Sequence, residues 1–187
     1  MTALALLLCL GAEGDLPARV HRLLDDAEVR AGTFEQRKRV QGFKRPLTSS
    51  GTYLVTRGRG VRWTTLQPFQ SELTVTASDI TSTQGGAQVY HLDARTEPGV
   101  RVVTELLLSL LGGDLEGLQR SFTVEGEVAA GRWTLALTPR VGALQRLFQR
   151  VWLQGDRSVR TVRLLEVGGD ETTIQLTPAA PDGGAPR

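Results

Sequence analysis

The chain has 187 residues, a length that suits one domain with a sizeable core. Its 21 glycines point to many turns and therefore many strands, while aromatic residues make up only 5%. The net charge of +2 excludes a global electrostatic drive towards nucleic acid.

The first twelve residues, Met1 to Ala12, carry no charged side chain, and Leu4 to Leu10 form an apolar run. That run is too short for a bilayer span, which needs about 20 residues. It reads as the apolar core of a secretory leader, with Gly11, Ala12 and Gly14 near the expected cleavage point and without the usual positive start. Residues 1–12 are therefore expected to be a signal peptide and the protein to be exported; a buried first helix is the alternative. Cys9, the single cysteine, falls inside this leader, so the exported chain needs no disulfide.

Asp15 and Pro17 then read as the start of a helix, and Leu16, Val20, Leu23, Leu24 and Ala27 recur at helical spacing up to a stop at Gly32. Phe34 to Val40 has an extended character. Arg37, Lys38, Arg39, Lys44, Arg45, Arg57, Arg59 and Arg62 make this part of the chain basic, either as a solvated face or as a patch for an acidic partner or anionic lipid. Thr52 to Arg57 and Val61 to Leu66 are strands around an Arg57–Gly58–Arg59–Gly60 hairpin turn. Pro68 interrupts, Leu73 and Val75 alternate with polar residues, and Val89 to Leu92 follows a turn at Gly85 and Gly86.

Pro98 and Gly99 precede a second helix, on which Val100, Val103, Leu106, Leu107, Leu110 and Leu111 form a wide apolar face that Gly112 and Gly113 end. This face suits a core helix or a lid over an apolar cavity. A short helical turn is expected at Asp114 to Leu118 and another near Leu144 to Phe148. Strands are expected where Phe122, Val124 and Val128 alternate, where Trp133, Leu135 and Leu137 do so, and at Val151–Leu153, Val159–Val167 and Thr173–Thr177. The Pro-, Gly- and Ala-rich tail, residues 178–187, is expected to be disordered.

This order, a helix, a meander, a helical insertion and a second meander, predicts a mainly β (α+β) protein. A single antiparallel sheet with one apolar face, curled around helices, satisfies it. Residues 13–177 form the single domain.

Motifs for catalysis are missing. His21 and His91 stand without a second ligand or base partner nearby, and neither a Gly-x-Ser-x-Gly elbow nor a phosphate-binding loop occurs. Asp25 and Asp26 are adjacent and so diverge. Asp170 and Glu171 follow two glycines, as in a hairpin turn. No catalytic residue, cofactor or metal site is expected, and the chain is read as a non-enzyme.

The order of elements resembles the periplasmic lipoprotein carrier family LolA. The motifs that carry the resemblance are Phe34–Glu35–Gln36 after the first helix, Ser50 to Arg57, Val61–Arg62–Trp63 and then Pro68. Trp133 to Pro139, a strand ending in Thr-Pro, and Leu153–Gln154–Gly155–Asp156 continue it, so it spans about Leu16 to Thr177. Gly58 stands where the family usually has a proline, and together with Gly42 to Leu47 this suggests a divergent branch. The resemblance implies a curved antiparallel sheet that forms an incomplete β-barrel with helices covering its open side, and a hydrophobic cavity that accepts the acyl chains of lipoproteins, with no covalent chemistry.

On that basis, strand alternation gives the expected lipid-binding positions. Tyr53, Val55 and Arg57 line one wall with Val61, Trp63, Leu73 and Val75. Trp133, Leu135 and Leu137 line a second, and Leu106, Leu107 and Leu110 form the lid. For Arg57 the resemblance implies hydrogen bonds to backbone carbonyls of the helical lid; the alternative is a strand-end residue whose head group reaches water. The implied partners are the acyl chain, an inner-membrane transporter that releases cargo and an outer-membrane acceptor, with the carrier acting as a monomer. A lipid-binding or sensor module on the same fold, or a shuttle for another exported lipid such as a pigment or glycolipid, is the alternative.

Overall fold

A computed structural model describes residues 16–97, 100, 101, 104, 105, 108, 109 and 115–180. Its framework is one antiparallel sheet of eleven strands. Six form the first meander: β1 (Val29–Arg39), β2 (Leu47–Thr56), β3 (Gly60–Gln67), β4 (Ser71–Val75), β5 (Asp79–Gln84) and β6 (Ala87–Asp93). Five form the second: β7 (Phe122–Ala129), β8 (Arg132–Pro139), β9 (Phe148–Gly155), β10 (Val159–Glu166) and β11 (Glu171–Pro178). Short helices α1 (Leu16–His21), α2 (Leu115–Leu118) and α3 (Gly142–Gln145) accompany them. The described residues from 100 to 109 are also helical. No helix among the described residues is long and apolar enough to cross a membrane.

Each meander is built from hairpin neighbours, and the strand order β6-β5-β4-β3-β2-β1-β11-β10-β9-β8-β7 shows how the halves join. The first and last strands pair, with Phe34 opposite Leu176 and Lys38 opposite Thr172. Strands β6 and β7 remain as two edges, so the sheet is open. The β7 edge carries Gly126 at φ +154°, where an added Cβ would lie 2.0 Å from the Thr134 carbonyl oxygen.

One face of this sheet is apolar across most of its width. In β2, Gly51, Tyr53 and Val55 are buried in alternation, and in β8 Trp133, Leu135, Leu137 and Pro139 are. Tyr53, Val55, Trp133, Leu135 and Leu137 join Phe34, Val75, Val151, Leu153, Val162 and Leu176 in one cluster. Val20 of α1 is fully buried in it, and Leu16, Leu23 and Leu24 pack against it. The apolar spacing of the first segment thus points at the core as expected, but helix α1 stops at His21 and Gly32 lies inside β1. Gly32 serves strand packing and not helix termination: a Cβ there would stand 2.2 Å from the Thr177 carbonyl oxygen and 2.8 Å from the Tyr53 hydroxyl.

Three further expectations change. Strand β5, Asp-Ile-Thr-Ser-Thr-Gln, has a single apolar residue, Ile80, and its alternation is therefore nearly invisible in sequence. The basic stretch is divided between the two ends of the β1–β2 hairpin. Lys38 pairs with Leu47 at one end, and Val29 pairs with Thr56, next to Arg57, at the other. Eight or nine residues of strand separate these ends, on the order of 30 Å, so the stretch is not one patch. Strand β11 runs through Pro178, and Ala179 N–H donates to the Ala31 carbonyl at 2.8 Å. Residues 1–12, the tail beyond 180, and Leu106, Leu107 and Leu110 lie outside the described residues.

Candidate functional site

Register brings the first set of predicted lining residues together in two cross-strand rows. Tyr53 stands opposite Trp63, and Trp63 opposite Leu73; Val55 stands opposite Val61, and Val61 opposite Val75. All six point to the apolar face. Tyr53, Val55, Val61 and Val75 are buried, while Trp63 and Leu73 are partly buried against the same cluster. Burial pushes the Tyr53 phenol above its ordinary value. Trp63 also stacks on Phe34, and its ring centroid lies 6.3 Å from that of Tyr53.

The second wall is packed more tightly. Leu135 faces Leu153, Leu137 faces Val151 and Trp133 faces Gly155. Trp133, Leu135 and Leu137 are at most 2% exposed. The indole fits because Gly155 has no side chain; a Cβ there would meet Trp133 Cζ2 at 2.4 Å. Indole Nε1–H donates to the Asp156 carbonyl at 2.8 Å, so its one polar group is satisfied.

Between α1, the β2–β3 turn and the 100–109 stretch lies a cleft of about 780 Å³. Leu24, Val55 and Leu108 give it apolar lining, and His21, Arg22, Asp25, Asp26, Arg30, Arg57 and Arg59 give it a charged rim. Of the ten described residues among the predicted lining positions, Val55 and Arg57 border this cleft; the others lie in the packed interior or beside it.

Arg57 does not sit between apolar neighbours inside the sheet. It opens the β2–β3 turn, with its side chain 50% exposed. Its NH2 group approaches Asp26 Oδ1 at 2.5 Å and donates to the Ala27 carbonyl at 3.5 Å, while its backbone N–H donates to the Glu28 carbonyl at 2.9 Å. The arginine thus ties the β2–β3 turn to the loop between α1 and β1, a different partner from the expected lid helix. Arg30 joins the same loop by donating to the Asp25 carbonyl at 2.5 Å. Partial burial, then the Arg57 charge, lowers the affinity of Arg30 for its proton.

Asp25 and Asp26 diverge as expected: Asp25 pairs with Arg157 at 2.7 Å and Asp26 with Arg57. They lie in the loop after α1, not on a helix. Sequence reasoning missed Asp26, Arg30, Leu24 and Leu108 as cleft residues, because the cleft draws on the loop after α1, the start of β1 and the 100–109 helical stretch together, which no single strand alternation marks. His91 Nε2 lies 2.8 Å from Asp79 Oδ1 on the far side of the first meander. Among the described residues, no group of three or more His, Cys, Asp or Glu stands together that could hold a metal ion.

The family model described as outer membrane lipoprotein carrier protein LolA matches residues 25–181, which contain all eleven strands of the sheet. The chain belongs to the LolA family. Several solved structures are similar to the chain at low identity. A LolA superfamily protein from Nitrosomonas europaea is 8% identical, with a TM-score of 0.46 over 90% of this chain and 93% of that one. A DUF1329 family protein from Desulfovibrio piger is 11% identical, with a TM-score of 0.49 over 91% and 92%. The MucA/MucB complex from Pseudomonas aeruginosa contains a chain 19% identical, with a TM-score of 0.45 over 90% of this chain and 58% of that one. No curated protein matches the chain.

Proposed function

We propose that this LolA-family chain is a periplasmic carrier that binds the acyl chains of lipoproteins, or of related lipids, and moves them from the inner towards the outer membrane without a covalent step. The observation that carries the reading is the apolar face of an open sheet, bordered by a cleft whose floor is Leu24, Val55 and Leu108 and whose rim is charged. An acyl chain entering there would exchange water for apolar contacts while its polar head stays at the rim.

The magnitudes suit a carrier. Burying a chain of about 16 carbons is worth about 12 kcal/mol before costs, at ~0.8 kcal/mol per methylene. Holding that much and still releasing it requires an offset. The expected lining, Tyr53, Val55, Val61, Trp63, Leu73 and Val75 against Trp133, Leu135 and Leu137, would have to part from its own contacts to admit the chain. The helices, with Leu106, Leu107 and Leu110 as lid, would cover the opening. Arg57, tied to Asp26 and Ala27, would hold the neighbouring loop closed until cargo displaces it. An inner-membrane transporter would supply the cargo and an outer-membrane acceptor would take it.

The test is displacement of a hydrophobic fluorescent dye from the folded protein by a homologous series of acyl chains. The reading expects affinity to rise with chain length. Absence of dye binding, or binding with no dependence on chain length, would leave a packed-core module instead.

A further inference from the structure

We infer that the end of the sheet opposite the cleft is a docking surface for an anionic lipid bilayer. Nine large apolar side chains stand exposed among the described residues, and six of them lie at this one end: Phe43, Leu47, Leu66, Phe69, Leu147 and Val167. Phe69 is 73% exposed and Phe43 65%. Single exposed apolar residues are ordinary on a protein surface; their collection at one end is not.

Strand register fixes the location. Phe43 belongs to the loop between β1 and β2, next to the pairing of Lys38 with Leu47. Leu66 and Phe69 lie at the β3–β4 turn, beside the same end of β2, where Ser50 stands opposite Gln67. On the other side of β1, Arg39 stands opposite Glu171, so the β10–β11 turn with Val167 adjoins the β1–β2 loop. Gln41 N–H donates to Asp170 Oδ1 at 3.0 Å and joins the two. Val167 N–H in turn donates to the Leu147 carbonyl at 3.0 Å. The six positions thus run from the start of β9 to the start of β4, across seven neighbouring strands and on the order of 30 Å. Phe43 is presented by a tight turn: its N–H donates to the Val40 carbonyl at 3.1 Å, and Gly42 supplies φ +83°.

Charge identifies the partner. Lys44 and Arg45 follow Phe43, and Arg140 and Arg146 flank α3 just before Leu147. None of the four forms an ion pair among the described residues. Carboxylates beside these tips are already engaged: Glu166 and Asp170 by Lys38, Glu171 by Arg163 and Glu72 by Arg62. Apolar tips among unpaired cations suit the interface of an anionic bilayer. The apolar groups enter the headgroup region, and lysine and arginine reach the phosphates. A protein partner requires one continuous complementary surface, whereas these groups sit on separate turns and strand ends. The cleft lies at the other end of the strands, beside the β2–β3 turn, so docking leaves it open.

The test is flotation of the full-length protein with vesicles of phosphatidylcholine alone and with vesicles of equal phosphatidylcholine and phosphatidylglycerol. The parent is expected to bind the mixed vesicles about tenfold more tightly than the neutral ones, and to lose that advantage as salt is raised. Lys44→Gln combined with Arg45→Gln should remove most of the difference. Phe43→Ser combined with Phe69→Ser should weaken binding to the mixed vesicles by about tenfold. Both double variants should melt like the parent and bind the hydrophobic dye as it does, because the replaced side chains are exposed and lie away from the cleft. Arg132→Gln, beside the β7–β8 turn at the cleft end, should change nothing. The docking surface is overturned if the parent binds neither vesicle or binds both equally. It is also overturned if the phenylalanine pair leaves binding unchanged, or if Arg132→Gln weakens it as much as the Lys44 and Arg45 pair does. A protein that binds the mixed vesicles but takes up no acyl chain keeps the docking surface and loses the carrier reading.

Discussion

Phe34 and Trp63 stack in the interior with ring centroids 3.9 Å apart and planes inclined by 26°, although β2 runs between their strands. Gly51 makes the contact reachable. It stands opposite Phe34 on one side and Thr65 on the other, and leaves a gap on the apolar face of β2 that the two rings close. Gly32 and Tyr53 form the reciprocal pair one step along the same strands.

Gly51→Ala should therefore be strongly destabilising. The added Cβ would stand 1.9 Å from the Thr64 carbonyl oxygen, which is backbone and cannot turn away. Separating β2 from β3 to relieve this is expected to cost about 2–4 kcal/mol, measured by urea unfolding. A cost below about 1 kcal/mol would show that the sheet accommodates the methyl group without moving.

At the second wall, Leu137→Ala removes a side chain with no exposure, between Val151 and Val124 on its neighbouring strands. The expected loss is about 2–5 kcal/mol by thermal or urea unfolding, the range for leucine truncated in a filled interior. Leu73→Ala, on the partly buried side of the first wall, should cost less stability and more lipid affinity. The reverse ordering would place the cargo at the second wall.

Arg57→Leu should leave stability within about 1 kcal/mol of the parent, because the Arg57–Asp26 pair is largely exposed. The same variant should retain lipid at least as tightly and pass it to an acceptor more slowly, since it removes a polar tie and adds apolar surface at the cleft. Asp26→Asn should reproduce the transfer defect if the pair is what is broken and remade. Retention and transfer are read separately; unchanged transfer in both variants would reduce Arg57 to a surface residue.

Acid stability has a local source at the first meander. Arg95 donates to both carboxylate oxygens of Asp93, at 3.0 and 2.8 Å, and its backbone N–H adds a third bond. These bonds hold the Asp93 carboxyl at about 2, below its ordinary 3.8. Because the folded value is the lower one, the contribution is present above pH 3.8 and is lost as pH falls towards about 2. Carboxyl titration followed by NMR should show this midpoint, and Asp93→Asn should flatten the fall in stability over that interval. A midpoint near 3.8 would contradict the bonded geometry.

Alternation made most of the sheet legible. Tyr53 and Val55, Val61 and Trp63, and Trp133, Leu135 and Leu137 all reach the apolar face that their spacing predicts, because a strand's period of two leaves little choice of side. Strand β5 escaped because Ile80 alone marks it. Gly32 was misleading because a glycine that ends a helix and a glycine that admits a neighbouring strand look the same in sequence. The cleft was the least legible part. Its rim depends on the Asp26–Arg57 tie across 31 residues and on the loop after α1, and no local pattern encodes that meeting.

The central claim is that the apolar face takes up acyl chains, and the most direct measurement is mass spectrometry of lipid extracted from the folded protein after purification. The account predicts co-purifying molecules that carry long acyl chains, released on denaturation and reduced when Leu73 or Val55 is replaced by a charged residue in a protein that still folds. A folded protein that carries no acyl lipid, and takes none up when offered it, would contradict the account.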